Sequence, residues 1–143
     1  MRVIIRAEVR PTEDEEKVVK ALLNLFDVQL REEVSGHVKI LVGEGGREAL
    51  VKFRRLLMEQ RILDAARQYL LRGLHERGFS FYLNKQAAYS GKVSFCSFEY
   101  GESPLGPITV EVETDDPQRA ILWLAPRTVQ GTPVEEVREP PDP

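Results

Sequence analysis

The chain has 143 residues, 42% of them hydrophobic and 30% charged, with a net charge of −3, as expected of one soluble domain with a single core. No apolar run approaches the ~20 residues of a membrane-spanning helix, Arg2 and Arg6 interrupt the opening too early for a signal peptide, and the lone Cys96 excludes an internal disulfide or a multi-cysteine zinc site. These features predict a cytoplasmic protein with no membrane partner, and one that does not coat nucleic acid by bulk charge.

The charge is unevenly spread. Residues 47–92 carry ten Lys/Arg against four Asp/Glu, whereas residues 99–143 carry three against ten. A basic middle between acidic flanks can present a local cationic face that the total conceals.

Residues 2–10 alternate, with Val3, Ile5, Ala7 and Val9 on one side and Arg6, Glu8 and Arg10 on the other, which predicts a strand buried on one face. Pro11 and Thr12 stop it. Thr12 with Glu15 fits a capping box, and a helix over 13–25 follows with Val18, Leu22, Leu25 and Phe26 along one stripe. Asp27–Glu33 has no clear period and reads as an edge segment at most. Ser35-Gly36 then turns the chain into a strand over 37–42 that faces Val38, Ile40 and Val42 inward, and Gly43–Gly46 breaks it. Two helices are expected next, one striped by Leu50, Phe53 and Leu57 and one by Leu63, Ala66, Leu70 and Leu74. Their stripes fall out of phase near 58–62, which predicts a bend there. Three short strand patterns follow, around Phe79/Phe81/Leu83, Val93/Phe95 and Ile108/Val110/Val112, with turn chemistry over 101–107. Asp116-Pro117 starts a last helix that docks Ile121, Trp123 or Leu124. Residues 1–130 thus read as one α+β domain, a two-layer sandwich with helices on one face of a largely antiparallel sheet. Residues 131–143 read as a mobile acidic, proline-rich tail.

No catalytic or metal motif stands out, and no cofactor is predicted. The Gly43–Gly46 turn lacks the ending of a phosphate-binding loop. His37 and His75 have no second ligand at metal spacing, and the carboxylates fall in runs that suit caps and solvated loops. The connection Asn84-Lys85-Gln86-Ala87-Ala88-Tyr89-Ser90-Gly91-Lys92 is different. Two lysines, two amides and an aromatic are the tools of single-stranded RNA recognition, the lysines for phosphate, the amides for base edges and the ring for stacking. The candidate nucleic-acid-binding residues are therefore Asn84, Lys85, Gln86, Tyr89 and Lys92, with Arg61 and Arg72 supporting. An ordinary polar hairpin is the competing reading of the same residues.

The same region carries a resemblance. Leu70-Leu71-Arg72-Gly73-Leu74, Phe81–Ala88 and Gly91-Lys92-Val93, with Glu8–Asp14, Gln60–Asp64, Pro104-Leu105-Gly106 and Trp123–Pro126, resemble an uncharacterised archaeal protein family over about residues 2–128. That family is similar to proteins with a fold like ribosomal protein L-five, and a sister group is described as RNA-binding or exosome-associated. The resemblance implies an α+β fold and a link to RNA by fold analogy alone, and it carries over no catalytic residue. The functions to weigh are an RNA-binding module without catalysis, a self-associating homodimer covering the open sheet face (Ile4, Tyr82, Phe98) or Trp123, and, last, an enzyme acting on phosphates.

Overall fold

The opening alternation forms β1 (Arg2–Val9), with Val3, Ile5 and Ala7 buried on one side and Arg2 and Arg6 exposed on the other. The computed structural model describes residues 1–97, 105–134 and 137–143. Most of the turn read over 101–107, the outward Phe98 and the acidic pair Glu135-Glu136 lie outside the described residues.

Helix α1 (Glu15–Leu25) starts later than the Thr12 pattern predicts. Its N-cap is Asp14, whose carboxylate accepts from the Glu16 N–H at 3.0 Å. Glu13 is drawn off the helix: its carboxylate accepts from the Arg10 N–H at 2.9 Å and from Lys85. Val18, Ala21, Leu22 and Leu25 face the core.

The segment with no clear period is a full strand, β2 (Gln29–Ser35), paired antiparallel with β3 (Val38–Gly45). Gly36 joins them at φ 62°, as the first loop residue of a type II′ hairpin requires. The inward face predicted for β3 is inverted. Leu41, Gly43 and Gly45 pair with Ala7, Ile5 and Val3 and so share the core face, while Val38, Ile40 and Val42 point to the open side. The reason lies in the two glycines. Val28 and Ala49 pack directly against them, and a Cβ on Gly43 would lie 2.6 Å from Val28 Cγ2. The core side of β3 therefore holds little apolar side chain, and the sequence pattern tracks the wrong face.

A 3-10 turn (Arg47–Leu50) leads into α2 (Val51–Glu59), and α3 (Leu63–Arg72) follows after the predicted bend. Arg61 takes φ 57° in that bend. Phe53 and Leu57, then Leu63, Ala66 and Leu70, are buried. Leu74 belongs instead to β4 (Leu74–His75), which pairs with β5 (Gly78–Asn84). Phe79, Phe81 and Leu83 of β5 face the core as predicted. Then come α4 (Lys85–Tyr89), β6 (Phe95–Cys96), β7 (Pro107–Glu113) and α5 (Pro117–Leu124), the last capped by Asp116 with proline in its first turn.

The sheet runs β2-β3-β1-β7-β5-β4, with β6 added beside β5, and among the described residues each of these pairs is antiparallel. The helices pack on one face, and Phe26, Phe53 and Phe81 stack between the layers at 5.1 and 5.5 Å between centroids. This is the α+β two-layer arrangement expected. The other face is a mixed lattice of charge rather than an apolar patch. Arg2 bridges Glu44 and Glu113, Arg31 bridges Glu33 and Glu44, and Arg10 bridges Glu8. Ile4 is buried and Tyr82 half-buried within it. Trp123 is also buried, in the core, with Arg54 5.4 Å above its ring. Neither Ile4 nor Trp123 is the exposed docking residue that self-association would use.

Past α5, β8 (Thr128–Val129) and β9 (Thr132–Pro133) form a small hairpin. Of the residues read as a mobile tail, Val137 is buried against the core. Asp142 accepts from the Thr114 hydroxyl at 2.6 Å and pairs with the Met1 ammonium at 2.8 Å. No helix among the described residues is long and apolar enough to cross a membrane.

Candidate nucleic-acid interface

The connection singled out in the sequence is helical rather than an open hairpin. Asn84 caps it, its side-chain oxygen accepting from the Ala87 N–H at 2.9 Å, so this amide is committed to the backbone. The first turn of α4 then carries Lys85 inward, where it is 3% exposed. Its Nζ donates to the Glu8 carbonyl at 2.7 Å, to the Leu105 carbonyl at 2.8 Å and to the Glu13 carboxylate at 3.1 and 3.3 Å. An ammonium has three donors, and all are taken. Burial pushes the Lys85 pKa below its ordinary value, against the pull of the Glu13 hydrogen bond and charge. Lys85 thus ties β1, the start of α1 and the approach to β7 together. It is not the phosphate contact that the sequence suggests, because it is buried and its three protons are committed within the fold.

The outer side of α4 is another matter. Gln86 and Tyr89 are exposed, and Asn24 of α1 anchors the helix by donating to the Ala88 and Tyr89 carbonyls at 3.0 and 3.1 Å. That anchor holds the Tyr89 ring near two lysines of α1. Lys17 and Lys20 lie 5.8 and 5.1 Å from its centroid, within cation–π range. Beside the ring opens a cleft of about 620 Å³ lined by Thr12, Asp14, Lys17, Gln86, Tyr89 and Ser90, among others.

Arg61 and Lys92 lie on two segments that are tied to each other. The Gln60 amide donates to the Gly91 carbonyl at 3.0 Å and accepts from the Val93 N–H at 2.9 Å. The bend holding Arg61 is thereby pinned to the loop holding Lys92, and both side chains are exposed. Arg72 is not gathered in. It stacks on Tyr69 at 5.0 Å and sits at the far end of α3, a helix of 10 residues and therefore about 15 Å long. Of the seven residues read from sequence, Gln86 and Tyr89 line the cleft, Lys92 and Arg61 are exposed on the adjoining loop and bend, Asn84 and Lys85 are structural, and Arg72 stands apart.

Three other basic residues of the middle segment have partners of their own. Arg54 donates to the Trp123 carbonyl at 2.7 Å, Arg67 to the Pro126 carbonyl at 3.0 Å and to Asp64 at 2.8 Å, and Arg55 lies 3.5 Å from Glu59. The glycine turn cannot welcome an anion either, because the Glu48 carboxylate already accepts from the Gly46 N–H at 2.9 Å. His75 faces Glu111 at 3.6 Å on the open side of the sheet. Among the described residues no three His, Cys, Asp or Glu side chains gather where they could hold a metal ion.

Lys17 and Lys20 were not singled out in the sequence. The signal was available: residues three apart on a helix share a face, and the buried stripe of α1 places both on its polar side. What the sequence lacked was the packing of α1 against α4.

A family model described as RNA binding matches residues 2–114 of the chain. The chain is 53% identical over 143 residues to a UPF0201 protein of Sulfurisphaera tokodaii, covering 99% of this chain and 98% of that one. It is 48% identical over 150 residues to a UPF0201 protein of Methanopyrus kandleri, covering 97% and 93%. Among solved structures, the UPF0201 protein of Methanococcus jannaschii superposes with a TM-score of 0.83 at 40% identity, covering 94% of this chain and 99% of that one.

Proposed function

The chain belongs to the UPF0201 family, and from that premise we propose that it is a cytoplasmic RNA-binding module without catalytic activity, which meets its ligand on the α1–α4 surface. One observation carries the reading: the exposed Tyr89 ring, flanked by Lys17 and Lys20, opens onto a cleft beside the exposed amide of Gln86. A base can stack on such a ring whatever its identity, the flanking ammoniums suit the phosphates on either side, and the amide can meet a base edge. Lys92 and Arg61 extend the cationic track beyond the cleft. The description of the matching family model agrees with this reading. The acidic residues lining the cleft do not oppose it, since Glu13 is paired with Lys85 and Asp14 caps α1.

The test is a salt titration with a mixed pool of single-stranded RNA, read by fluorescence anisotropy. If Lys17, Lys20, Lys92 and Arg61 each neutralise one phosphate, log K should fall against log salt with a slope of about −2.8, roughly fiftyfold between about 50 and 200 mM. Absent binding, or binding indifferent to salt, overturns the proposal.

A further inference from the structure

β2 is one border of the main sheet. It pairs with β3 on one side and with no strand among the described residues on the other. An unpaired strand of seven residues offers a row of free backbone donors and acceptors, and proteins usually blunt such an edge with proline, a bulge or like charge. β2 carries no proline, and its register against β3 runs without a break from Gln29 to Ser35. Six of its seven residues are exposed, including Val34 at 71%, the most exposed of the large hydrophobic residues described.

We propose that this edge pairs antiparallel with β2 of a second copy of the chain, about a two-fold axis at Glu32, so that two sheets become one. The register follows from the backbone and the side chains separately. The Gly36-His37 loop closes on Ser35, whose carbonyl turns toward Val38 and hence toward β3. Backbone groups alternate in direction along an antiparallel strand, so those of Leu30, Glu32 and Val34 point away from β3 and are open to a partner. A two-fold at Glu32 brings these outward groups opposite one another in both copies.

The side chains select the same register. Centred on Glu32, Leu30 faces Val34 of the partner copy on the helix side of the sheet, and Arg31 faces Glu33 on the open side, each contact occurring twice. Gln29 meets Ser35 at the ends. Shifting the centre to either neighbour keeps the backbone pattern but sets Arg31 against Arg31 or Glu33 against Glu33. Opposite charges directly across a sheet stabilise it and like charges there oppose pairing. The one like pair in the proposed register is Glu32 with its own copy, and each carries a cation beside it, since Lys39 lies 3.7 Å from Glu32 in the same chain. The charges on this edge therefore specify a partner rather than repel every one.

The inference is independent of the RNA reading, and its test uses the full chain in sedimentation velocity over a wide concentration range. The wild type should self-associate to a dimer. Arg31→Glu and Glu33→Arg, each placing like charges across both symmetric contacts, should each weaken the dimer by about tenfold or more. The double swap Arg31→Glu with Glu33→Arg restores opposite charges and should recover the affinity, while Glu32→Gln should tighten it. Hydrogen exchange supplies a second readout: protection of the Leu30, Glu32 and Val34 amides should rise with protein concentration. A chain that stays monomeric throughout overturns the proposal. So does a dimer that ignores both single reversals, or a double swap as weak as either one.

Discussion

Lys85→Met tests whether the inward lysine of α4 is architecture or interface. The substitution keeps the length of the side chain and removes its charge and donors. It leaves the Glu13 carboxylate and the Glu8 and Leu105 carbonyls without their shared partner, in a site where the Lys85 and Glu13 side chains are 4% and 8% exposed. Removing one member of a buried, hydrogen-bonded ion pair costs about 3–5 kcal/mol, because the other charge stays buried and unpaired. For a domain whose whole stability is of order 5–15 kcal/mol, that is a large share. In urea, with a slope of about 2 kcal/mol/M, the midpoint should fall by roughly 2 M at unchanged slope. Adding Glu13→Gln to Lys85→Met removes the stranded charge and should recover part of the loss, as a double-mutant cycle would report. The pH dependence has a definite sign. The folded pKa of Lys85 lies below its ordinary value, so the unfolded chain holds that proton more tightly. The stability difference between wild type and Lys85→Met should therefore widen as pH rises through the window below about 10.4. A loss under about 1 kcal/mol, comparable to an exposed pair, would refute the argument and return Lys85 to the surface.

Tyr89→Ala should raise the Kd for single-stranded RNA by roughly 5- to 150-fold, the equivalent of about 1–3 kcal/mol for one lost stack, while Tyr89→Phe keeps the affinity; anisotropy titrations at fixed salt separate the two. Gly78→Ala should prevent stable folding, seen as loss of a cooperative melt by circular dichroism. A Cβ there would lie 1.7 Å from the Val112 carbonyl oxygen in the β5–β7 pair, where no side chain can move aside. Asp64 is held below the usual carboxyl range first by the Thr128 hydroxyl at 2.6 Å and then by Arg67. Its contribution is present above about pH 4 and lost as pH falls through the folded value, so Asp64→Asn should flatten that part of the acid limb in denaturation measured against pH.

Much of the fold was legible because most strands and helices bury one face with the expected period. β1, β5 and β7 alternate Val, Ile, Phe and Leu against polar residues, and α2 and α3 lose phase where Arg61 breaks the helix. Two elements defeated the pattern for separate physical reasons. β3 turns glycines to the core, so its apolar residues mark the open face. β2 is exposed except at Leu30, and a strand with one half-buried residue shows no period. The candidate site was legible in part. Gln86 and Tyr89 lie where a polar connection suggests, but whether a lysine points out or in depends on its partners across the fold. Lys85 and Lys92 look alike in sequence, and partners distant along the chain separate them: the carbonyls of Glu8 and Leu105 and the carboxylate of Glu13.

If both proposals hold, a dimer built on β2 carries two copies of the Tyr89 cleft, and the number of sites one RNA can reach becomes measurable. A short oligonucleotide that fills one cleft should bind wild type and Arg31→Glu alike, since Arg31 lies on the open side of the sheet and contributes nothing to the cleft. A long single strand able to reach both clefts converts its second contact into an intramolecular one, which can raise affinity by about 10²–10⁴ when the geometry permits both. Arg31→Glu should remove that gain and leave the short-strand affinity intact, so the ratio of long- to short-strand Kd is the quantity to compare. Restoration of the ratio by the Arg31→Glu, Glu33→Arg double swap would tie the gain to the β2 pairing rather than to the lost positive charge. An equal ratio in wild type and Arg31→Glu, with dimerisation shown to be lost, means that the two clefts cannot be spanned by one strand and that the edge serves assembly alone.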